Sequence, residues 1–86
     1  MMYSYIKLPD ETQFAYSDIQ EDNTIEVSVE RPREMGFDTA RCLLPAHRWF
    51  DVEGFGADEM ARIDAMVQNN APLIWRLARE ASKEYA

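Results

Sequence analysis

The chain has 86 residues, 47% of them apolar, and sets sixteen acidic residues against nine basic ones for a net charge of −7. That length makes one small domain, and ten aromatic residues supply a core, so composition argues against disorder. A single cysteine excludes an internal disulfide and points to a reducing compartment, while the acidic balance disfavours nucleic acid phosphates and anionic lipid surfaces as partners.

Met1-Met2-Tyr3-Ser4-Tyr5 lacks the basic start and long apolar run of a signal peptide. No stretch approaches the roughly 18 apolar residues that cross a bilayer. A cytoplasmic, single-domain protein with no membrane partner is expected, mainly β over 1–53 and helical over 57–84.

Tyr3 to Lys7 and Thr12 to Ser17 flank Leu8-Pro9-Asp10-Glu11, whose Pro-Asp is turn chemistry, and the three segments predict a hairpin. From Thr24 to Glu30 the alternation is strict. Ile25, Val27 and Val29 face one side and Thr24, Glu26, Ser28 and Glu30 the other, as in a sheet with one dry and one wet face. Arg31 to Gly36, punctuated by Pro32 and Gly36, reads as a loop. Ala40 to Leu44 reads as a short buried strand stopped by Pro45. Trp49 to Val52 fits either a fifth strand or an irregular approach to the helix.

From Ala57 the period becomes helical. Gly56 can serve as N-cap, and Asp58 and Glu59 complement the positive end of the dipole. Met60, Ile63, Val67, Ala71, Ile74, Ala78 and Ala81 hold one phase through Pro72, which favours a single long helix, kinked there, over two helices with Asn70 capping the second. The expected class is therefore α+β: an antiparallel sheet of three to five strands packed on a long C-terminal helix. Ile25, Val27, Val29, Ile63, Val67, Ile74 and Leu77 are its expected core. Met66, Leu73, Trp75 and Leu77 widen the apolar arc of the helix to roughly 200°, more than packing on one surface requires. Either a second copy of the chain covers the excess, with Met66 and Trp75 in the contact, or the hairpin and the Trp49–Phe55 segment wrap around the helix.

Catalytic equipment is scarce. Cys42 lies in the apolar run Ala40-Arg41-Cys42-Leu43-Leu44, where burial makes a thiol inert, and although His47 is close in sequence no third group to orient its imidazole is identifiable. One histidine and one cysteine cannot build a zinc site, and Asp18-Ile19-Gln20-Glu21-Asp22-Asn23 lacks the glycine and downstream glutamate of a calcium loop. Glu26 with Glu30, or Asp51 with Glu53, would pair as acid and base only inside a pocket, and these residues read as wet-face positions. Gly36, Gly54 and Gly56 form no phosphate-binding motif. Neither an enzyme, a cofactor nor a metal centre is expected. Direct nucleic acid binding is disfavoured as well. Arg31, Arg33, Arg41 and Arg48 cluster mid-chain, while Glu80 interrupts the helical face of Arg76, Arg79 and Lys83 and suits pairing along the helix with Lys83 or Arg76.

The acids are segregated. Leu8 to Glu30 holds seven carboxylates in 23 residues without a base, and Trp49 to Ala61 holds four more, including Asp51 and Glu53. Glu26 and Glu30 would stand roughly 13 Å apart on one strand face, a spacing that suits a groove built for a phosphate backbone. Asp18, Glu21, Asp22, Glu26, Glu30, Asp51 and Glu53 are therefore the expected contacts for a basic protein surface, on nucleic-acid machinery or on a toxin. Small acidic inhibitors of the anti-CRISPR, anti-restriction and antitoxin kinds work by such nucleic-acid mimicry; the analogy is one of charge and size. The alternative is a scaffold protein that associates through its apolar helix. Salt separates the two, since only the carboxylate contact is screened.

Overall fold

In the computed structural model, which describes residues 1–84 and their side chains as far as Ala81, the α+β class expected from the sequence is present. The strands β1 (Met2–Lys7), β2 (Gln13–Ser17), β3 (Ile25–Arg33), β4 (Gly36–Leu44) and β5 (Arg48–Glu53) form one antiparallel meander in chain order. The helix α1 (Ala57–Glu84) packs on one face of that sheet. No helix among the described residues is long and apolar enough to cross a membrane.

The alternation of β3 fixes which face is dry. Ile25, Val27 and Val29 are buried with Ala40, Cys42 and Leu44 of β4 and Phe14 and Tyr16 of β2, against Ile63, Val67, Ile74 and Ala78 of α1. Burying each Val or Ile side chain of this set contributes about 1.5–3 kcal/mol. Leu77 departs from expectation: it is half-buried at the margin of the core, and the smaller Ala78 occupies the fully buried position. One residue is 100° of helix, enough to move Leu77 from the contact line to its flank.

Arg31 to Gly36 is not a loop. β3 and β4 run nine residues each and pair without interruption as far as Arg33 with Gly36, leaving only Glu34 and Met35 in the turn. Pro32 is tolerated because the pairing of β2 with β3 ends at Glu30, so beyond that point β3 is an edge where a missing N–H costs little. Arg31 and Asp38 stand directly opposite each other and supply an attraction that a reading of turn formers overlooks.

Trp49 to Val52 belongs to a strand, β5, with an irregularity in its pairing to β4 between Thr39 and Arg41. The helix begins as predicted. The Gly56 carbonyl accepts the Met60 N–H at 2.9 Å, and the Gly56 N–H donates to Glu59 Oε1 at 3.3 Å, the reach-back of a capping glutamate. α1 then runs unbroken through Pro72, which cannot donate to the Gln68 carbonyl. Val67 and Ile74, buried on either side, keep the two halves in phase.

Candidate functional site

The face of the sheet turned away from α1 is covered by no other part of the described chain. Pairing lays its side chains out in rows. Ser4, Ala15, Ser28, Arg41 and Phe50 form one row across all five strands. Gln13, Glu30, Thr39 and Glu53 form the next, and Glu26, Leu43 and Arg48 lie on the other side of the Ser28 row.

The expected acidic contacts have different fates on this frame. Glu26 and Glu30 share the outer face, with Glu26 half-buried and Glu30 exposed. Glu53 ends the Glu30 row. Glu21 and Asp22 lie in the β2–β3 loop, where Asp22 Oδ1 accepts the Thr24 hydroxyl at 2.6 Å and so shapes the turn. Asp18 is committed elsewhere. It accepts the Tyr3 hydroxyl and sits 3.1 Å from the amino terminus, and these two contacts, in that order, hold its carboxyl below the ordinary value. Asp51 lies 3.8 Å from Arg41. Among the described residues, Glu21, Glu26, Glu30 and Glu53 have no ion pair.

This face is less uniformly acidic than the sequence order implies. β4 comes from the basic middle of the chain and sets Arg41 opposite Ser28, midway between Glu26 and Glu30, with Arg48 one strand further on. Of the helix charges, Arg76 pairs with Glu80 at 3.8 Å, and Lys83 lies outside the described side chains. Met66 and Trp75 are both half-buried against the core. Nine positions of about 100° each put them on opposite flanks of α1, so a single interface engages one of them at most. Among the described residues of the helix, the exposed large apolar one is Leu73, 45% accessible.

Two polar clusters were not legible as units in the sequence. In the first, the Arg31 guanidinium donates through Nε and Nη2 to Asp38 at 2.9 and 2.7 Å, pairs with Glu59 through Nη1, and lies 4.9 Å above the Phe55 ring. Arg33 donates to the same Asp38 oxygen. Burial alone would push the Asp38 carboxyl up, but the hydrogen bonds from Arg31 and Arg33 outweigh it and hold the group below its ordinary value of 3.8. Glu59 is lowered from 4.5 by Arg31 and by the Gly56 N–H. Asp10 is lowered chiefly by hydrogen bonds from Thr12. Folded-state values below the unfolded ones mean that this stabilisation is complete above the ordinary carboxylate range and is lost as pH falls through it. Thermal unfolding should therefore give a flat Tm from neutrality to about pH 5 and a steep fall below about pH 4. A Tm unchanged down to pH 3 would contradict these pairings.

In the second cluster, Asp64 supplies the orienting group that the spacing of Cys42 and His47 does not reveal. His47 Nε2 lies 2.6 Å from Asp64 Oδ1, the Trp49 indole N–H donates to that oxygen at 2.7 Å, and Cys42 Sγ is 3.9 Å from His47 Nδ1. The outline is that of a thiol, an imidazole and a carboxylate, but the thiol is unsuited to attack. Cys42 is fully buried, and burial followed by the nearby Asp64 charge pushes it up to about 11. The chain of contacts instead ties the β4–β5 turn to α1. Iodoacetamide should leave Cys42 unmodified in the native protein and alkylate it after denaturation. Native labelling at the rate of a free thiol would show that the cluster is an open nucleophilic site.

Among the described residues no group of three or more His, Cys, Asp or Glu is placed to hold a metal ion. In comparisons with family models, curated proteins and solved structures, nothing matches the chain.

Proposed function

We propose that this protein is a small non-enzymatic binding module whose uncovered sheet face and adjoining β2–β3 loop dock on a basic protein surface and block it. The class of target is nucleic-acid machinery or a toxin, and the mode is that of anti-CRISPR, anti-restriction or antitoxin inhibitors. The observation that carries this reading is the set Glu26, Glu30 and Glu53 on the sheet, with Glu21 in the adjoining loop, carboxylates without ion pairs among the described residues of a chain of net charge −7. Unpaired charge on an uncovered face is available to steer a partner of opposite sign. Arg41, set among the acids, adds direction to the contact: a uniformly basic patch would repel it, whereas a basic groove with one acidic position would accept it.

The reading requires no cofactor and no metal. It is tested by recovering a partner from the source cells at low salt, purifying it, and following its association with the protein as ionic strength rises. Electrostatic steering predicts a rate that falls steeply with salt, over a Debye length of about 8 Å at physiological strength. A rate and affinity indifferent to salt would remove the acidic face from consideration. A second reading, association of two copies through the helix, rests on the exposed Leu73; it calls for a doubled mass that persists in high salt, because apolar burial is not screened.

A further inference from the structure

On the helix side of the sheet, opposite the acidic face, the β1–β2 turn, the Arg31 cluster and the start of α1 line a half-open cavity of about 290 Å³. Its floor is apolar: Phe14, Phe55 and Ile63 belong to the core, and Leu8 and Met66 pack against it. Four charged side chains stand at its rim: Asp10, Arg31, Glu59 and Arg62. Three of them are engaged. Arg31 is held by Asp38 and Glu59, Glu59 also accepts the Gly56 N–H, and Asp10 accepts the Thr12 N–H at 3.0 Å. Arg62 differs. It is exposed and, among the described residues, has no ion pair.

We infer that this cavity binds a small amphipathic monoanion, a medium-chain or arylalkyl carboxylate with its apolar body on the floor and its carboxylate on Arg62. Charge decides the head group. Glu59 accepts from Arg31 and from the Gly56 N–H, and Asp10, which accepts from Thr12, lies 3.9 Å from Arg31, so a cationic head would compete with Arg31 for these carboxylates and would face the Arg62 guanidinium. A carboxylate matches the planar fork of Arg62 with two parallel hydrogen bonds. Size decides the tail. A dry apolar cavity of about 150 Å³ accommodates benzene, so about twice that volume takes an eight-carbon chain or a fused bicyclic ring. An apolar concavity with one available polar anchor is the usual form of a small-ligand site.

The test is a titration of the full chain, followed by amide chemical shifts and by calorimetry, with octanoate below its micellar concentration. Octylamine, octanol and acetate serve as probes of charge and tail. Saturable one-to-one binding of octanoate is expected, with shifts at Leu8, Phe55 and Arg62. Affinity should be at least about tenfold above that for octanol or octylamine, the ratio that one charge-assisted hydrogen bond sustains. Acetate should not saturate. Arg62→Gln should remove the preference for the anion without changing Tm, since the side chain is exposed. Met66→Trp, which fills the cavity, should abolish binding of every probe, and reversing Glu26 and Glu30 on the opposite face should change none of it. Three results would overturn the inference: no saturable shift with octanoate, equal binding of octylamine, or unchanged octanoate affinity in Arg62→Gln.

Discussion

Gly54→Ala is expected to destabilise the protein by more than about 2 kcal/mol, far beyond the usual effect of adding one methyl group near a surface. Gly54 has φ +88, a backbone conformation that an L side chain adopts only at a cost, typically about 1–2 kcal/mol. The space is closed as well. A Cβ at this position would fall 2.0 Å from Asp38 Oδ1 and 2.7 Å from its Cγ. Asp38 is 6% exposed and receives hydrogen bonds from both Arg31 and Arg33, so it cannot move aside without uncoupling the half-buried Arg31 guanidinium. Gly36 is the internal control: its φ is +143, but nothing lies within 4 Å of the added carbon. Urea unfolding of the two alanine variants separates backbone strain from the clash. Gly54→Ala should lose clearly more stability than Gly36→Ala; equal losses would mean that Asp38 is not held where the structure puts it.

The same cluster shows where reading the sequence stops. The period-two pattern of Ile25, Val27 and Val29 and the helical phase from Met60 to Ala78 are local, and each names its buried face unaided. Arg31 to Gly36 reads locally as a loop because Pro32 and Gly36 punctuate it. The force that extends the hairpin is a pairing of Arg31 with Asp38, seven residues away, and with Glu59, 28 away. The orientation of His47 by Asp64 depends likewise on a helix 17 residues downstream. A signal did exist for both: isolated charges, Arg31 and Asp38 at dry-face positions and Asp64 on the flank of the helical stripe, call for partners. The acidic segregation was legible as composition but not as a surface. Sheet pairing interleaves β3 with β4, and the base-free segment acquires Arg41 as a neighbour. Charge runs in a chain become charge patches only when adjacent strands agree in sign.

The largest functional effect is expected from Glu26→Lys with Glu30→Lys. Each reversal changes the charge by two units, so the net −7 becomes −3, and the change is concentrated on one face of one strand. Neither side chain has an ion pair to lose among the described residues, and substitutions on a wet sheet face usually shift stability by less than about 0.5 kcal/mol, so the fold should survive. Binding should not. With Arg41 between them, two lysines would turn the centre of the face basic and place like charges against the partner, a juxtaposition worth several kcal/mol. The direct measurement is stopped-flow association of the wild-type protein and the double variant with the purified partner across a range of ionic strengths. The proposed mode predicts fast, salt-sensitive association for the wild type and loss of both speed and salt sensitivity in a variant that still unfolds at the wild-type urea midpoint. Equal rates with equal salt dependence would contradict it and leave the face as a solvated surface.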